Sequence, residues 1–79
     1  MRDHTYQIRA VWDDEASVWV ATSDDVPGLV TESDTLEKLV KKLEVLIPEL
    51  LEANNALPST KEIPFEVLSE RHATTRLRA

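Results

Sequence analysis

A chain of 79 residues, with fifteen Asp and Glu against nine Lys and Arg and a formal net charge of −6, makes one small acidic domain. That charge argues against a general nucleic-acid binder, whose phosphate-facing surface needs excess cations. The absence of cysteine removes disulfides, thiolate metal sites and cysteine nucleophiles together.

At this length folding buries only roughly 60% of the surface the unfolded chain exposes, so support from a partner or a second copy, a homodimer, is expected. The first residues hold no apolar run resembling a signal peptide, and no stretch approaches the ~18 apolar residues of a membrane span. A cytoplasmic location, with no membrane association, is expected.

Residues 5–12 alternate, with Tyr6, Ile8, Ala10 and Trp12 on one face and Thr5, Gln7 and Arg9 on the other, the period of a half-buried strand. Asp13-Asp14-Glu15-Ala16 interrupts it with turn-competent residues. Residues 17–23, rich in β-branched and aromatic side chains, predict a second strand joined to the first as a hairpin. Pro27-Gly28 then marks a turn, because proline fixes φ and glycine accepts φ > 0. Residues 29–32 predict a short third strand.

The period then changes. Leu36, Leu39, Val40, Leu43, Leu46, Ile47, Leu50 and Leu51 recur at three- and four-residue spacing, the apolar stripe of a helix. Asp34 is placed to cap its start, with Glu37 three positions on. Pro48 removes one backbone hydrogen bond and clashes with the Glu44 carbonyl, which predicts a kink or a restart. Asn54-Asn55 predict the stop, because asparagine tolerates the left-handed conformation. Residues 63–70 predict a fourth strand, with Pro64 at its start or on a sheet edge. Residues 71–79 hold three arginines and no acid and read as a flexible basic tail, so the domain itself is residues 1–70.

The predicted order is β-β-β-α-β, an α+β fold with one helix packed on a four-stranded mixed sheet. Three antiparallel strands run up, down and up, the helix crosses one face, and the last strand runs parallel to the first through a right-handed crossover. Such a sheet keeps one face uncovered, and that face and the sheet edges are natural binding surfaces.

From Asp13 to Asp34 the chain holds seven acids and no Lys or Arg. Solvated turns and a helix cap explain such a run, and so does complementarity to a basic partner. Neighbouring acids in a strand or turn splay apart and do not converge on one ion, so neither a metal site nor a cofactor is expected. His4 and His72 are far apart in sequence and read as surface residues. The serines lack a G-x-S-x-G context, a single glycine cannot build a phosphate-cradling loop, and no catalytic residue is expected. Trp12 and Trp19 suit a cross-strand pair, and either becomes an interface anchor if it lies on the uncovered face.

The segments Ala10-Val11-Trp12-Asp13-Asp14-Glu15-Ala16-Ser17-Val18-Trp19-Val20-Ala21, Asp25-Val26-Pro27-Gly28-Leu29-Val30-Thr31-Glu32 and Asp34-Thr35-Leu36-Glu37-Lys38-Leu39 together resemble the HicB-like antitoxin family, in particular a short branch lacking the C-terminal DNA-binding domain. The resemblance covers residues 6–54 and, more loosely, reaches residue 68. It implies a partial ribonuclease H-like fold without that enzyme's active site, and a role in sequestering a small basic toxin of the HicA type, an mRNA-cleaving protein. Full-length members also bind their own promoter through a C-terminal helix-turn-helix or ribbon-helix-helix. The nine residues after Glu70 are too few for one, so direct DNA binding is not expected.

Trp12, Trp19, Asp24, Asp25 and Glu32 are therefore the candidate partner-binding residues of an antitoxin-like module. The alternative is a self-associating structural or accessory domain with no toxin partner, its exposed sheet edge pairing with its own copy.

Overall fold

Two strands, Tyr6–Asp13 (β1) and Val18–Thr22 (β2), form the expected hairpin, in a computed structural model that describes residues 4–78. Residues 1–3 and 79, the outermost ends of the two segments read from the sequence, lie outside the described residues. The connecting turn is built by Asp13. Its Oδ1 accepts the N–H groups of Glu15 at 3.0 Å and Ala16 at 3.3 Å, while its carbonyl accepts Ser17 N–H at 2.8 Å. Ser17 takes φ 57°, the left-handed angle that returns the chain to the sheet.

The next turn, Val26 to Leu29, closes with Leu29 N–H on the Val26 carbonyl at 3.2 Å. Proline at the first central position and Gly28 at φ 83° give the type II turn. A Cβ on Gly28 would meet only Leu50 Cδ2, at an ordinary 3.8 Å, so the backbone angle and not space calls for glycine. Val26 and Leu29 flank this turn and are both buried, so the loop itself plugs the core.

Strand β3 is Val30–Ser33, one residue later than the sequence suggests, because Leu29 is spent on the core. The helix α1, Leu36–Ala53, follows and buries Leu39, Leu43, Ile47 and Leu51. Its cap is Thr35, not Asp34. Thr35 Oγ1 accepts Lys38 N–H at 3.1 Å, and Asp34 lies one residue too early and pairs instead with Lys38 Nζ at 3.3 Å.

Pro48 lies inside an unbroken helix, so of the two expected outcomes, a kink or a restart, the restart does not occur. A helix-interior proline costs about 3 kcal/mol. Burying the four side chains of the stripe returns about 1.5–3 kcal/mol each, so packing wins. The helix ends as a Schellman motif: Asn55 at φ 57°, its N–H on the Glu52 carbonyl at 3.0 Å, and Ala56 N–H on the Leu51 carbonyl at 2.7 Å.

The last strand, β4, is Phe65–Glu70. Pro64 stands just before it, with its carbonyl accepting Tyr6 N–H at 3.0 Å. The sheet order is β3-β2-β1-β4, antiparallel throughout except for the parallel pair β1 and β4. This is the predicted α+β architecture, one helix on a four-stranded mixed sheet. Ile8, Ala10 and Ala21 supply the sheet side of the core beneath α1. The helix lies closest to β3 and β2, leaving Phe65 and Val67 of β4 half-buried.

Candidate protein-binding face

The strand registers fix which residues share the face turned away from α1. One cross-strand row reads Val30, Thr22, Arg9, Leu68, and the next reads Glu32, Val20, Val11, Glu70. Both rows run across all four strands. No described element covers them, and Val30, Leu68 and Val11 are 70%, 55% and 37% exposed. Exposed aliphatic side chains aligned over a whole sheet face differ from the scattered surface hydrophobes of any soluble domain.

Acids surround this apolar centre. Glu32 and Glu70 occupy two corners, Glu66 lies beside Leu68 along β4, and Asp24 lines a groove of about 520 Å³. Gln7, Arg9, Thr22, Leu68 and Glu70 line the same groove. Among the described residues of the face the one cation is Arg9, and it is engaged by Glu70 at 3.0 Å.

The His72 ring nitrogen 2.8 Å from Glu70, and then the Arg9 guanidinium, hold the Glu70 carboxyl below the usual carboxylate range. A lowered carboxyl contributes stability that is present above its ordinary value of 4.5 and is lost as pH falls through the lowered value. All three groups are exposed, so the contribution is small. In an acid titration followed by carboxyl NMR, Arg9→Ala should move the Glu70 midpoint upward toward the ordinary value.

The sequence-level candidates separate into three groups. Asp24 and Glu32 are exposed at the open face, where a partner can reach them. Asp25 is tied into the fold. Its Oδ2 accepts Gln7 N–H at 2.8 Å and lies 3.6 Å from His4 Nε2. Its own N–H donates to Ser23 Oγ at 3.0 Å, and that hydroxyl donates to the Gln7 carbonyl at 2.6 Å. The cluster clamps the start of β1 to the end of β2. Asp25→Ala leaves the Gln7 donor without its acceptor and should cost about 1–2 kcal/mol in chemical denaturation, whereas Asp24→Ala should be nearly neutral.

Trp12 and Trp19 form the expected cross-strand pair, with ring centres 5.3 Å apart and planes at 66°. They lie on the helix side, however, because Trp12 shares its parity with Ile8 and Ala10, and Trp19 with Ala21. Trp12 Nε1 donates to Asp14 Oδ1 at 2.7 Å, and the Arg71 guanidinium sits 4.1 Å from the Trp12 ring centre. The condition for an interface anchor, a place on the uncovered face, is not met. Val11, Val20, Val30 and Leu68, the residues that do occupy that face, were legible only as the alternate positions of each strand.

Among the described residues no helix is long and apolar enough to cross a membrane. The crystal structure of a hypothetical protein from the extremely thermophilic bacterium Thermus thermophilus is similar, with a TM-score of 0.70 and 49% sequence identity. The match covers 94% of this chain and 100% of that one. No curated protein matches the chain. The sequence matches a family described as a domain of unknown function, DUF1902, over residues 5–79, and the chain belongs to that family.

Proposed function

We propose that this chain is an antitoxin-like binding module that captures a small basic protein on its open sheet face. The observation that carries this reading is the face itself: aliphatic side chains across four strands, ringed by Asp24, Glu32, Glu66 and Glu70, with Arg9 already neutralised. Apolar centres supply affinity in protein interfaces, and complementary charge at the rim raises the on-rate. The HicB-like resemblance of the hairpin, the Pro-Gly turn and the helix start supports the same reading. An mRNA-cleaving toxin presents cations to phosphate, and an acidic face occupies those cations competitively. The acids of the β1–β2 turn serve the fold instead, since Asp13 and Asp14 hold the turn and the Trp12 indole.

The reading predicts a small basic protein encoded beside this chain's gene, and the test is to co-express the two. Growth arrest by that protein alone, relieved by this chain through a stoichiometric complex, is the expected result. A neighbouring protein that is harmless, or that does not bind, removes the antitoxin reading.

A further inference from the structure

We infer that residues 71–78 form an exchanged arm, which adds as an antiparallel strand to the outer edge of β4 in a second copy of this chain. The inference does not rest on the toxin reading, because it is argued from a sheet edge, although the seated arm borders Glu66, Leu68 and Glu70 at the margin of the open face.

The arm leaves the body. Residues 71–78 are exposed and carry no regular secondary structure. The radius of gyration is 15.2 Å, where a compact chain of this length has about 12 Å. The longest dimension is 59 Å, whereas an eight-residue strand and an 18-residue helix each span about 27 Å. Eight extended residues supply about 26 Å more. Leu77, an apolar residue, is 94% exposed at the far end.

The edge that receives it is open. β4 is an outer strand, and among the described residues no backbone hydrogen bond reaches its far side. The opposite edge differs, since Lys42 Nζ donates to the Glu32 carbonyl of β3 at 2.6 Å. An unpaired edge is a template for another strand.

Charge selects the occupant. Residues 4–70 hold fourteen acids against five Lys and Arg, and residues 71–78 hold three arginines and no acid. The arm is thus complementary to the body of its own kind.

The register follows from side-chain parity. Arg71 stacks on Trp12, a helix-side residue, so odd positions of a continued strand face the helix side and even ones the open side. With a two-fold axis at Arg71, Leu77 lies opposite the second copy's Phe65, Thr75 opposite Val67, Thr74 opposite Leu68, Arg76 opposite Glu66 and His72 opposite Glu70. The two half-buried apolar residues of β4 gain cover, and Arg76 meets a carboxylate. A one-residue slip would set Leu77 against Glu66 and Arg76 against Val67, losing both pairings.

Light scattering on the full chain should give twice the 9.0 kDa chain mass. Thr74→Pro with Thr75→Pro removes an arm donor whichever side faces the partner, and should yield a monomer with an unchanged circular dichroism spectrum of the body. Arg76→Glu should weaken the dimer about tenfold, and adding Glu66→Arg should restore it. Because the chain has no cysteine, Thr74→Cys with Leu68→Cys gives a second readout: it should cross-link two copies on mild oxidation, whereas Thr75→Cys with Leu68→Cys should not. A monomeric wild-type chain, a dimer indifferent to the two prolines, or equal cross-linking by both cysteine pairs would overturn the inference.

Discussion

Leu43→Ala is expected to lower the unfolding free energy by about 3 kcal/mol, within the range for buried leucine truncations. Leu43 is fully buried at the middle of the α1 stripe, in one cluster with Ile8, Ala10, Ala21, Leu39 and Ile47. A domain of this size has a total stability of roughly 4–12 kcal/mol. The loss is therefore a large part of the whole, and much of the population unfolds at moderate urea. The effect exceeds that of a surface change on the same helix, because truncation leaves a cavity that a close-packed core closes only partly. Val45→Ala is the control. Val45 is exposed, and its loss should stay within about 0.5 kcal/mol. Urea midpoints at one fixed protein concentration distinguish the two, since self-association would otherwise shift both.

Asp24→Arg combined with Glu32→Arg should weaken binding of a basic partner by roughly ten- to a hundredfold, mostly through the association rate. Both residues are exposed and neither anchors a turn, so the denaturation midpoint should move little. The salt dependence of the association rate should become shallower, because two of the charges that steer the partner have changed sign. Glu37→Arg combined with Glu52→Arg, both exposed on the helix of the opposite layer, alters net charge by the same total amount. It should have a much smaller effect. Kinetics at two ionic strengths separate local complementarity from total charge, and equal effects from the helix and sheet-face reversals would remove the face from the account.

Much of the fold was legible because single residues decide it. The alternation of Tyr6, Ile8, Ala10 and Trp12 gave β1 and its buried face, and Pro27-Gly28 gave a turn whose φ only glycine takes easily. The boundaries shifted where two residues offered the same chemistry. Asp34 and Thr35 both cap helices, and the choice fell to Thr35 once Leu36 opened the helix. Pro48 does not restart the helix because local propensity costs less than the packing of Leu43, Ile47 and Leu51 returns.

The site was half legible. Composition marked Asp24 and Asp25 as equals, yet hydrogen bonding to Gln7 and Ser23 makes Asp25 structural, while Asp24 is exposed. The tryptophans drew the eye as large aromatics, while strand parity had already placed Trp12 beside Ile8. The valines of the open face carry no individual signal. They acquire meaning only from the cross-strand register, which no local pattern specifies.

The most direct test is to titrate ¹⁵N-labelled chain with the small basic partner that the proposal predicts and map the amide shifts. Shifts concentrated on Arg9, Val11, Val20, Glu32 and Leu68, with α1 undisturbed, are the predicted result. Shifts concentrated on α1, or none at all at saturating partner, would contradict a binding face on the open side of the sheet.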